Sequence, residues 1–193
     1  MTMGISPVGL QSGRYVESAR RFVLASDRRI MRNANQWPAP RWVRVWMICA
    51  ARGGDGWLWS GVGIGILYFG GVQRFDAVGA AALASAAGIP LFVQLKKIVR
   101  RERPCAFERH CWANPLPPDR FSFPSGHSLT AFAVAIALGW FYPALFLVLL
   151  FCAISVSASR ILLGLHFLTD VLAGALAGTA LAIGAAKFIG MVA

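Results

Sequence analysis

The sequence predicts an all-α integral membrane protein, a helical bundle of about five transmembrane helices with further helices at the membrane interface. Of the 193 residues, 57% are hydrophobic and the mean hydropathy is +0.59, which exceeds what a soluble core of this size uses. The apolar residues form uncharged blocks of bilayer-spanning length. The 19 basic against 8 acidic residues then indicate anionic lipid head groups or a phosphorylated ligand, and not nucleic acid.

Residues 1–52 are predicted to form an N-terminal interfacial segment. Residues 1–13 are rich in Gly, Ser and Pro, and we expect a loose terminus there. Residues 14–33 interleave arginines with scattered apolar residues, which favours an amphipathic helix lying on anionic lipid. Residues 41–51 predict a second such helix, with Trp42 and Trp46 at head-group level. The first 35 residues have no apolar core of a signal peptide, so no cleavable signal is expected.

Residues 53–193 are predicted to form the transmembrane domain. Five apolar runs supply the spans, and a sixth is needed if residues 41–51 also enter the membrane. In the fifth run, Gly174 and Gly178 form a small-residue face suited to close helix packing. The predicted spans cover residues 57–72, 77–95, about 128–140, 143–159 and about 167–188, with a polar loop over residues 100–126.

This layout brings three polar clusters to one membrane face. They are Lys96–Pro104 after the second span, Pro124–His127 before the third, and Ser159–Asp170 between the fourth and fifth. With five spans, all three of these junctions emerge on the same side of the bilayer.

The cluster Ser159–Asp170 has the most pronounced chemical character, because ionisable side chains beside apolar spans are costly and by default functional. His166 and Asp170 are four residues apart, which on one helix face would place them one turn from each other. The carboxylate would then accept the Nδ1–H and leave Nε2 free as a base or nucleophile. Arg160 would provide a permanent cation. The alternative is a helix end with a snorkelling arginine and a satisfied His–Asp pair.

The other two clusters are weaker when read singly. Lys96–Pro104 alone is a basic juxtamembrane stretch. In Pro124–His127, Pro and Ser suit a helix start and Gly126 permits close approach of a ligand. Free N–H groups at a helix N-terminus bind phosphate, and His127 could protonate a leaving group.

Together the clusters form a tripartite pattern: Lys96 and, six residues later, Arg103-Pro104; Pro124-Ser125-Gly126-His127; and Ser159-Arg160 followed by His166 and Asp170. This pattern closely resembles the type 2 phosphatidic acid phosphatase family, the lipid phosphate phosphatases. The same signature occurs in soluble bacterial acid phosphatases and vanadium haloperoxidases. All three motifs are present in order, and they cover about the C-terminal half of the chain.

The resemblance implies a two-step hydrolysis of a phosphomonoester or pyrophosphate that uses no metal and no other cofactor. His166 would be the nucleophile that forms a phosphohistidine, oriented by Asp170, and His127 would protonate the leaving group and later activate water. The phosphoryl oxygens would be held by Lys96, Arg103, Ser125, the Gly126 amide and Arg160. Physical reasoning agrees, because cations and amides can stabilise the charge of phosphoryl transfer. The motifs also lack the paired carboxylates of a two-metal site.

Several residues outside the pattern receive structural interpretations. Lys97, Arg100, Arg101, Arg109 and Arg120 are interpreted as a solvated basic face, and His110 as a loop residue. Cys49 and Cys152 are predicted to be inert packing residues. A Cys105–Cys111 disulfide is left open, since it depends on the compartment that the loop faces.

An active site at the membrane interface implies an amphiphilic lipid phosphate. The resemblance ranks undecaprenyl pyrophosphate first, followed by phosphatidylglycerophosphate, phosphatidate and the lipid A 1-phosphate. The competing hypotheses are a lipid-phosphate binder or scramblase without hydrolysis, and a vanadate enzyme, which would require a soluble scaffold. The sequence leaves the oligomeric state open.

The side of the membrane is predicted from two conflicting indications. The layout leaves only Arg74 and Lys187 among the 19 basic residues opposite the motifs, so the positive-inside rule places the motifs in the cytoplasm. The resemblance implies the periplasmic or outer face of a bacterial inner membrane, and we adopt that prediction.

Overall fold

The structure is a computed structural model that describes residues 7–107 and 119–192, and these residues form seven α-helices. Three residues with predicted roles lie outside the described residues, namely Arg109, His110 and Cys111. The predictions of a basic face at Arg109, a loop position for His110 and a possible Cys105–Cys111 disulfide therefore stay predictions. The helices are α1 (Pro7–Gln36), α2 (Arg41–Gly53), α3 (Trp57–Phe69), α4 (Arg74–Val99), α5 (Gly126–Phe141), α6 (Phe146–Leu162) and α7 (Leu168–Val192). Each of the five predicted spans corresponds to one of the helices α3–α7, which confirms the predicted all-α fold class.

Helix α5 forms the centre of the bundle and packs against α4, α6 and α7. Its buried face is built from small residues, and Ala131, Ala133 and Ala137 have no exposed surface. The α5–α7 contact uses the predicted glycine face, because a Cβ at Gly174 or Gly178 would collide with backbone of α5. Small residues let two helix backbones approach closely, which is how helices pack without a hydrophobic driving force in lipid.

Within the described residues, three helical segments are long and apolar enough to cross a bilayer: Gly71–Val99, Pro143–Leu162 and Leu168–Val192. Trp57–Phe69 and Gly126–Phe141 are apolar but shorter. At 1.5 Å per residue, a 16-residue helix spans about 24 Å, slightly less than a typical hydrocarbon core of about 30 Å. The exact number of crossings therefore remains a prediction.

Helix α1 is longer than predicted. It begins at Pro7, so the prediction of a loose terminus over residues 1–13 is wrong from residue 7 onward. Proline suits the first turn of a helix, where its missing N–H has no intrahelical partner, and its presence was misread as a sign of coil. Helix α1 packs against α6 and α7. The interfacial position of residues 1–52 remains a prediction.

The polar helix ends meet at one end of the bundle, as predicted. The Ser125 N–H, before α5, donates to the Asp170 carbonyl in α7 at 3.0 Å. The Cys105 N–H, after α4, donates to the Gly164 carbonyl after α6 at 3.2 Å. These backbone bonds join the three motif segments directly, and the turn between α2 and α3 reaches the same end through Asp55 and His127.

Candidate active site

His166 lies in the turn between α6 and α7. Helix α6 ends at Leu162, and Gly164 adopts a left-handed conformation with φ +68°. The N–H groups of Leu165 and His166 both donate to the Arg160 carbonyl at 3.0 Å, which terminates the helix in the manner of a glycine C-cap. The prediction that His166 and Asp170 share a helix face is therefore wrong. Gly164 was the sequence signal for the break, because glycine is the usual residue at this position after a helix.

The imidazole of His166 is fully buried and accepts a hydrogen bond from the Arg103 side chain. Arg103 Nη1 lies 3.0 Å from Nε2, and Asp170 Oδ2 lies 3.7 Å from Nδ1. A guanidinium can only donate, so Nε2 must accept and the proton of the neutral ring must lie on Nδ1. Burial lowers the pKa of His166 to about 4, because desolvation of the imidazolium outweighs its attraction to Asp170. The ring is therefore a neutral Nδ1–H tautomer with its basic nitrogen toward Arg103.

Asp170 is held on both carboxylate oxygens. Oδ2 accepts the Phe167 N–H at 2.9 Å, which closes the first turn of α7 as the acidic residue of a capping box does. Oδ1 accepts from Arg101 Nη1 at 2.8 Å. The prediction that Arg101 belongs to a solvated basic face is wrong, because its side chain is only 16% exposed and is bonded to this buried carboxylate.

Lys96 and Arg103 share a carboxylate that the sequence analysis did not single out. Asp119 Oδ2 lies 2.6 Å from Lys96 Nζ, and Asp119 Oδ1 lies 2.7 Å from Arg103 Nη2. Partial burial raises the pKa of Asp119, but the hydrogen bonds and charges of the two cations outweigh this, so its pKa lies below the usual value. The carboxylate is therefore ionised at neutral pH, and it forms ion pairs with two cations that are predicted to bind phosphate.

Arg160 is a buried cation whose guanidinium is not fully partnered. Its side chain is nearly inaccessible, and Nε has no hydrogen-bond partner among the residues that the structure describes. Its positive charge acts on His166, which places it within the same electrostatic environment. A buried charge without a partner is costly, so this position favours an anion.

His127 pairs with a second carboxylate that the sequence analysis missed. Its Nε2 lies 2.8 Å from Asp55 Oδ1, in the Gly-rich turn between α2 and α3. The sequence showed a turn there, but its distance of 72 residues from His127 gave no indication of contact.

The residues Ser125 and Gly126 begin helix α5. The Ser125 hydroxyl is buried and accepts hydrogen bonds from the N–H and the hydroxyl of Ser128, so it acts as the N-cap. A Cβ at Gly126 would lie 3.3 Å from the ring of Phe92, which makes glycine the residue that fits this approach. Their predicted contacts with phosphate remain predictions.

The described part of the chain contains no group of three or more His, Cys, Asp or Glu side chains arranged to hold a metal ion. The titratable groups of the site form pairs with cations or with each other instead. The structure thus gathers the eight predicted site residues at one end of the bundle, namely His166, Asp170, His127, Lys96, Arg103, Ser125, Gly126 and Arg160. It adds three carboxylates, Asp27, Asp55 and Asp119, and one arginine, Arg101, that the sequence patterns did not identify.

Comparisons with known proteins agree with this architecture. Residues 76–192 match the model of the PAP2 superfamily. The fold is similar to that of the transmembrane PAP2-type phosphatidylglycerolphosphate phosphatase from Bacillus subtilis, with a TM-score of 0.69 and 25% identity over 97% of both chains. It is also similar to LpxE from Aquifex aeolicus, with a TM-score of 0.69 and 27% identity over 82% of this chain and 93% of the other.

A curated relative shows higher identity over a shorter region. The decaprenylphosphoryl-5-phosphoribose phosphatase of Mycolicibacterium smegmatis is 44% identical over 101 residues, which is 51% of each chain. The match thus spans about half the length of that relative.

Proposed function

This chain belongs to the PAP2 superfamily, and we propose that it is a membrane-embedded phosphatase that removes a terminal phosphate from a lipid phosphate or pyrophosphate without a metal ion. The observation that carries the proposal is the excess of buried cations around a neutral, enclosed histidine. Lys96, Arg103 and Arg160 are each at most 8% exposed. Asp119 neutralises the first two only in part, since one carboxylate faces two cations. A phosphoryl dianion would balance the remaining positive charge of these three cations.

In the proposed first step, His166 Nε2 attacks phosphorus, and the bond from phosphorus to the leaving oxygen breaks. Arg103 Nη1, which donates to Nε2 before substrate binds, turns to a phosphoryl oxygen and frees the lone pair. Asp170 stabilises the positive charge that develops on the ring. The cations stabilise the equatorial oxygens, which is where phosphoryl transfer concentrates charge.

His127 is proposed to protonate the leaving oxygen. Burial and the charge of Arg160 lower the pKa of His127, and Asp55 Oδ1, 2.8 Å from Nε2, opposes that shift and favours the protonated ring. In the second step a water attacks phosphorus, the bond from phosphorus to His166 Nε2 breaks, and His127 accepts the proton of the water. The products are the dephosphorylated lipid, or the lipid monophosphate from a pyrophosphate, and inorganic phosphate. General acid catalysis of this kind contributes about 10²- to 10⁴-fold.

A groove beside the site supports an amphiphilic substrate. It has a volume of about 540 Å³, lies between α3, α4 and α5, and begins at Gly56, the residue after Asp55. Its walls are mainly apolar, and the small residues Gly63, Ala81 and Ala82 are among those that line it. We propose that the lipid tail of the substrate lies in this groove while its phosphate binds to Lys96, Arg103 and Arg160.

We propose a polyprenyl-linked phosphate as the substrate class. Undecaprenyl pyrophosphate is the representative ranked first from the sequence. The relative from Mycolicibacterium smegmatis, named for a decaprenylphosphoryl-5-phosphoribose, supports the same kind of tail with a sugar phosphate head. Phosphatidylglycerophosphate, phosphatidate and lipid A 1-phosphate follow. The active site is proposed to face the periplasm.

The test is phosphate release by the detergent-solubilised full chain in EDTA, against these lipids, beside His166→Ala. Release that persists in EDTA and is lost in the variant supports the proposal. A requirement for divalent metal, or release that survives in His166→Ala, would refute the mechanism. If orthovanadate binds and no lipid is hydrolysed, the protein is instead a lipid-phosphate binder or scramblase.

A further inference from the structure

A buried acidic residue on α1 lies next to the catalytic turn. Asp27 is 2% exposed, and α1 lies outside residues 76–192, which match the superfamily. A buried carboxylate is costly unless it is paired and hydrogen-bonded. Its partners therefore indicate why an acid occurs here, on a helix whose other ionisable side chains are largely exposed where the structure describes them.

The partners of Asp27 lie at the start of α7. Oδ2 accepts from Arg101 Nη2 at 2.7 Å and from the Thr169 hydroxyl. Oδ1 accepts from the Thr169 backbone N–H at 3.2 Å. That N–H is among the first of α7, which have no partner within the helix. Asp27 thus caps α7 from another helix, where Phe167, the residue before α7, has no side-chain oxygen to do so.

The same arginine connects this cap to the catalytic carboxylate. Arg101 donates through Nη2 to Asp27 and through Nη1 to Asp170 and to the Thr169 hydroxyl, the last at 2.7 Å. Its guanidinium also lies 4.0 Å from the centre of the Phe167 ring. A planar guanidinium fixed at both ends has little freedom to turn, so the position of Asp170 depends on Asp27.

We propose that Asp27 is a positioning residue for the reaction, which through Arg101 and Thr169 fixes the Asp170 carboxylate and thereby the orientation of the His166 ring. This inference deepens the proposed phosphatase function and rests on it. The N-terminal helix is accordingly part of the active-site structure, although the phosphate-binding motifs all lie after residue 95.

The principal test compares Asp27→Asn with Glu17→Gln. Both variants remove one negative charge from α1, but Glu17 pairs with Arg20 and Arg21 on the exposed face of the helix. In Asp27→Asn we expect kcat to fall about 10- to 100-fold, the range seen when outer partners of histidine–carboxylate pairs are removed from metal sites. Inhibition by orthovanadate should change less than threefold, because Lys96, Arg103 and Arg160 are untouched. Glu17→Gln should match the wild type both in kcat and in its inhibition by orthovanadate.

A second variant separates positioning from a loss of folding. Thr169→Val removes the hydroxyl that joins Asp27 and Arg101 but keeps every charge, and Thr169→Ser restores it. We expect Thr169→Val to lower kcat and Thr169→Ser to recover most of it. If the Asp27→Asn and Thr169→Val variants lose kcat and orthovanadate binding together, with a lower melting temperature, the role of Asp27 is structural and the inference is overturned.

A spectroscopic readout keeps the inference testable independently of activity. In protein with ¹⁵N-labelled histidine, the wild type should show one sharp His166 Nδ1 resonance, and Asp27→Asn should show a shifted or split Nδ1 resonance, because Nδ1 faces the Asp170 carboxylate. The tautomer itself should stay the same in both proteins, because Arg103 still donates to Nε2. If the wild type hydrolyses no lipid phosphate, the proposed function fails, and the comparison of the Nδ1 resonances alone decides the inference. If the wild type is active while Asp27→Asn keeps its kcat and its Nδ1 resonance, the inference fails and the proposed function stands.

Discussion

At the scale of single residues, the site is a set of ionisable groups whose states are fixed by enclosure. His166 is neutral because burial lowers its pKa to about 4, and its tautomer is fixed because Arg103 can only donate. The carboxylates Asp55 and Asp119 each contact a residue predicted to act on phosphate. Each of these contacts leads to a measurable expectation.

The protonation of His166 provides the first prediction. Since its pKa is lowered in the folded chain, the free protein should keep a largely neutral His166 from pH 7 down to pH 5, and the midpoint of its protonation should lie near pH 4. The acid side of a kcat/KM profile above pH 5 should then reflect the substrate phosphate, whose second pKa is about 6. An unfolded histidine takes up its proton near pH 6.5, so burial of neutral His166 reduces stability progressively as the pH falls from about 6.5 to 4.

The measurement is the ¹⁵N chemical shift of His166 against pH in phosphate-free protein. The chain has three histidines, so His166→Gln assigns the signal by its loss. A midpoint near 6.5 for His166 would contradict the expectation.

Asp55 provides a prediction about general acid catalysis. Asp55→Asn removes the negative charge beside His127 Nε2 and should lower the rate on a lipid phosphate by about 100-fold, the lower end of what a general acid contributes. An aryl phosphate, whose leaving group needs no proton, should lose less than fivefold. The comparison is the ratio of kcat/KM for the two substrates, with His127→Gln as reference. Equal losses on both substrates would show that Asp55 has another role.

Asp119 provides a prediction about binding. Its carboxylate contacts Lys96 and Arg103 at hydrogen-bond distance and must yield to a phosphoryl group that uses the same donors. Asp119→Asn should therefore tighten competitive inhibition by orthovanadate by about tenfold, or about 1.4 kcal/mol, because a partly exposed charge-assisted contact is removed. Asp76→Asn, at the other end of α4, is the matched control. Weaker inhibition would indicate that Asp119 orients the two cations for phosphate.

At the scale of helices, small residues have two distinct roles. On α7, Gly174 and Gly178 permit contact with the α5 backbone, and this contact holds Ser125 against Asp170. On α3, Gly63 borders the apolar groove, and a Cβ there would meet no atom within 4 Å. A larger residue at this position can therefore enter the groove without disturbing the bundle.

Gly63→Leu tests the groove as the site of the lipid tail. We expect KM for a long-chain lipid phosphate to rise about tenfold, while a short-chain water-soluble phosphate is unaffected, because only the tail meets the new side chain. Gly65→Leu is the control, since its Cβ also enters open space and the residue does not line the groove. Equal effects of both variants on the long-chain substrate would place the tail elsewhere.

At the scale of the whole molecule, the site lies at one end of the bundle, together with most of the basic residues. The positive-inside rule and the proposed periplasmic site therefore disagree for this chain. Several of these cations belong to the site or pair with nearby carboxylates. Arg101 and Arg103 are examples. Such residues are needed for the structure of the site, so their charge does not indicate which side of the membrane the site faces.

Labelling of introduced cysteines tests the orientation. In a chain without its native cysteines, Arg120→Cys at the motif end and Val72→Cys at the opposite end provide two exposed positions. A membrane-impermeant maleimide, applied to cells whose outer envelope has been permeabilised, should label the cysteine at position 120 and leave that at position 72 unmodified. The reverse pattern would place the site in the cytoplasm, as the positive-inside rule indicates.

The local content of the fold was readable from the sequence. Apolar runs predicted α3–α7 because a bilayer requires continuous apolar segments, and the glycine face of α7 followed from spacing. The turn at His166 was missed because the i, i+4 spacing to Asp170 was given more weight than Gly164. The role of Arg101 was missed because a basic run beside a span looks the same whether or not a partner is buried against it.

Helices α3–α7, their order and the three motifs that converge at one end were thus predictable, since they depend on local composition and on the alternation of direction across a membrane. The pairing of carboxylates with their partners arises instead from the packing of the helices. Asp27, Asp55 and Asp119 come from separate elements of the chain, and each meets its partner across a helix contact or a turn. No local pattern encodes such a pairing, because its energy arises from burial that exists only once the helices have packed.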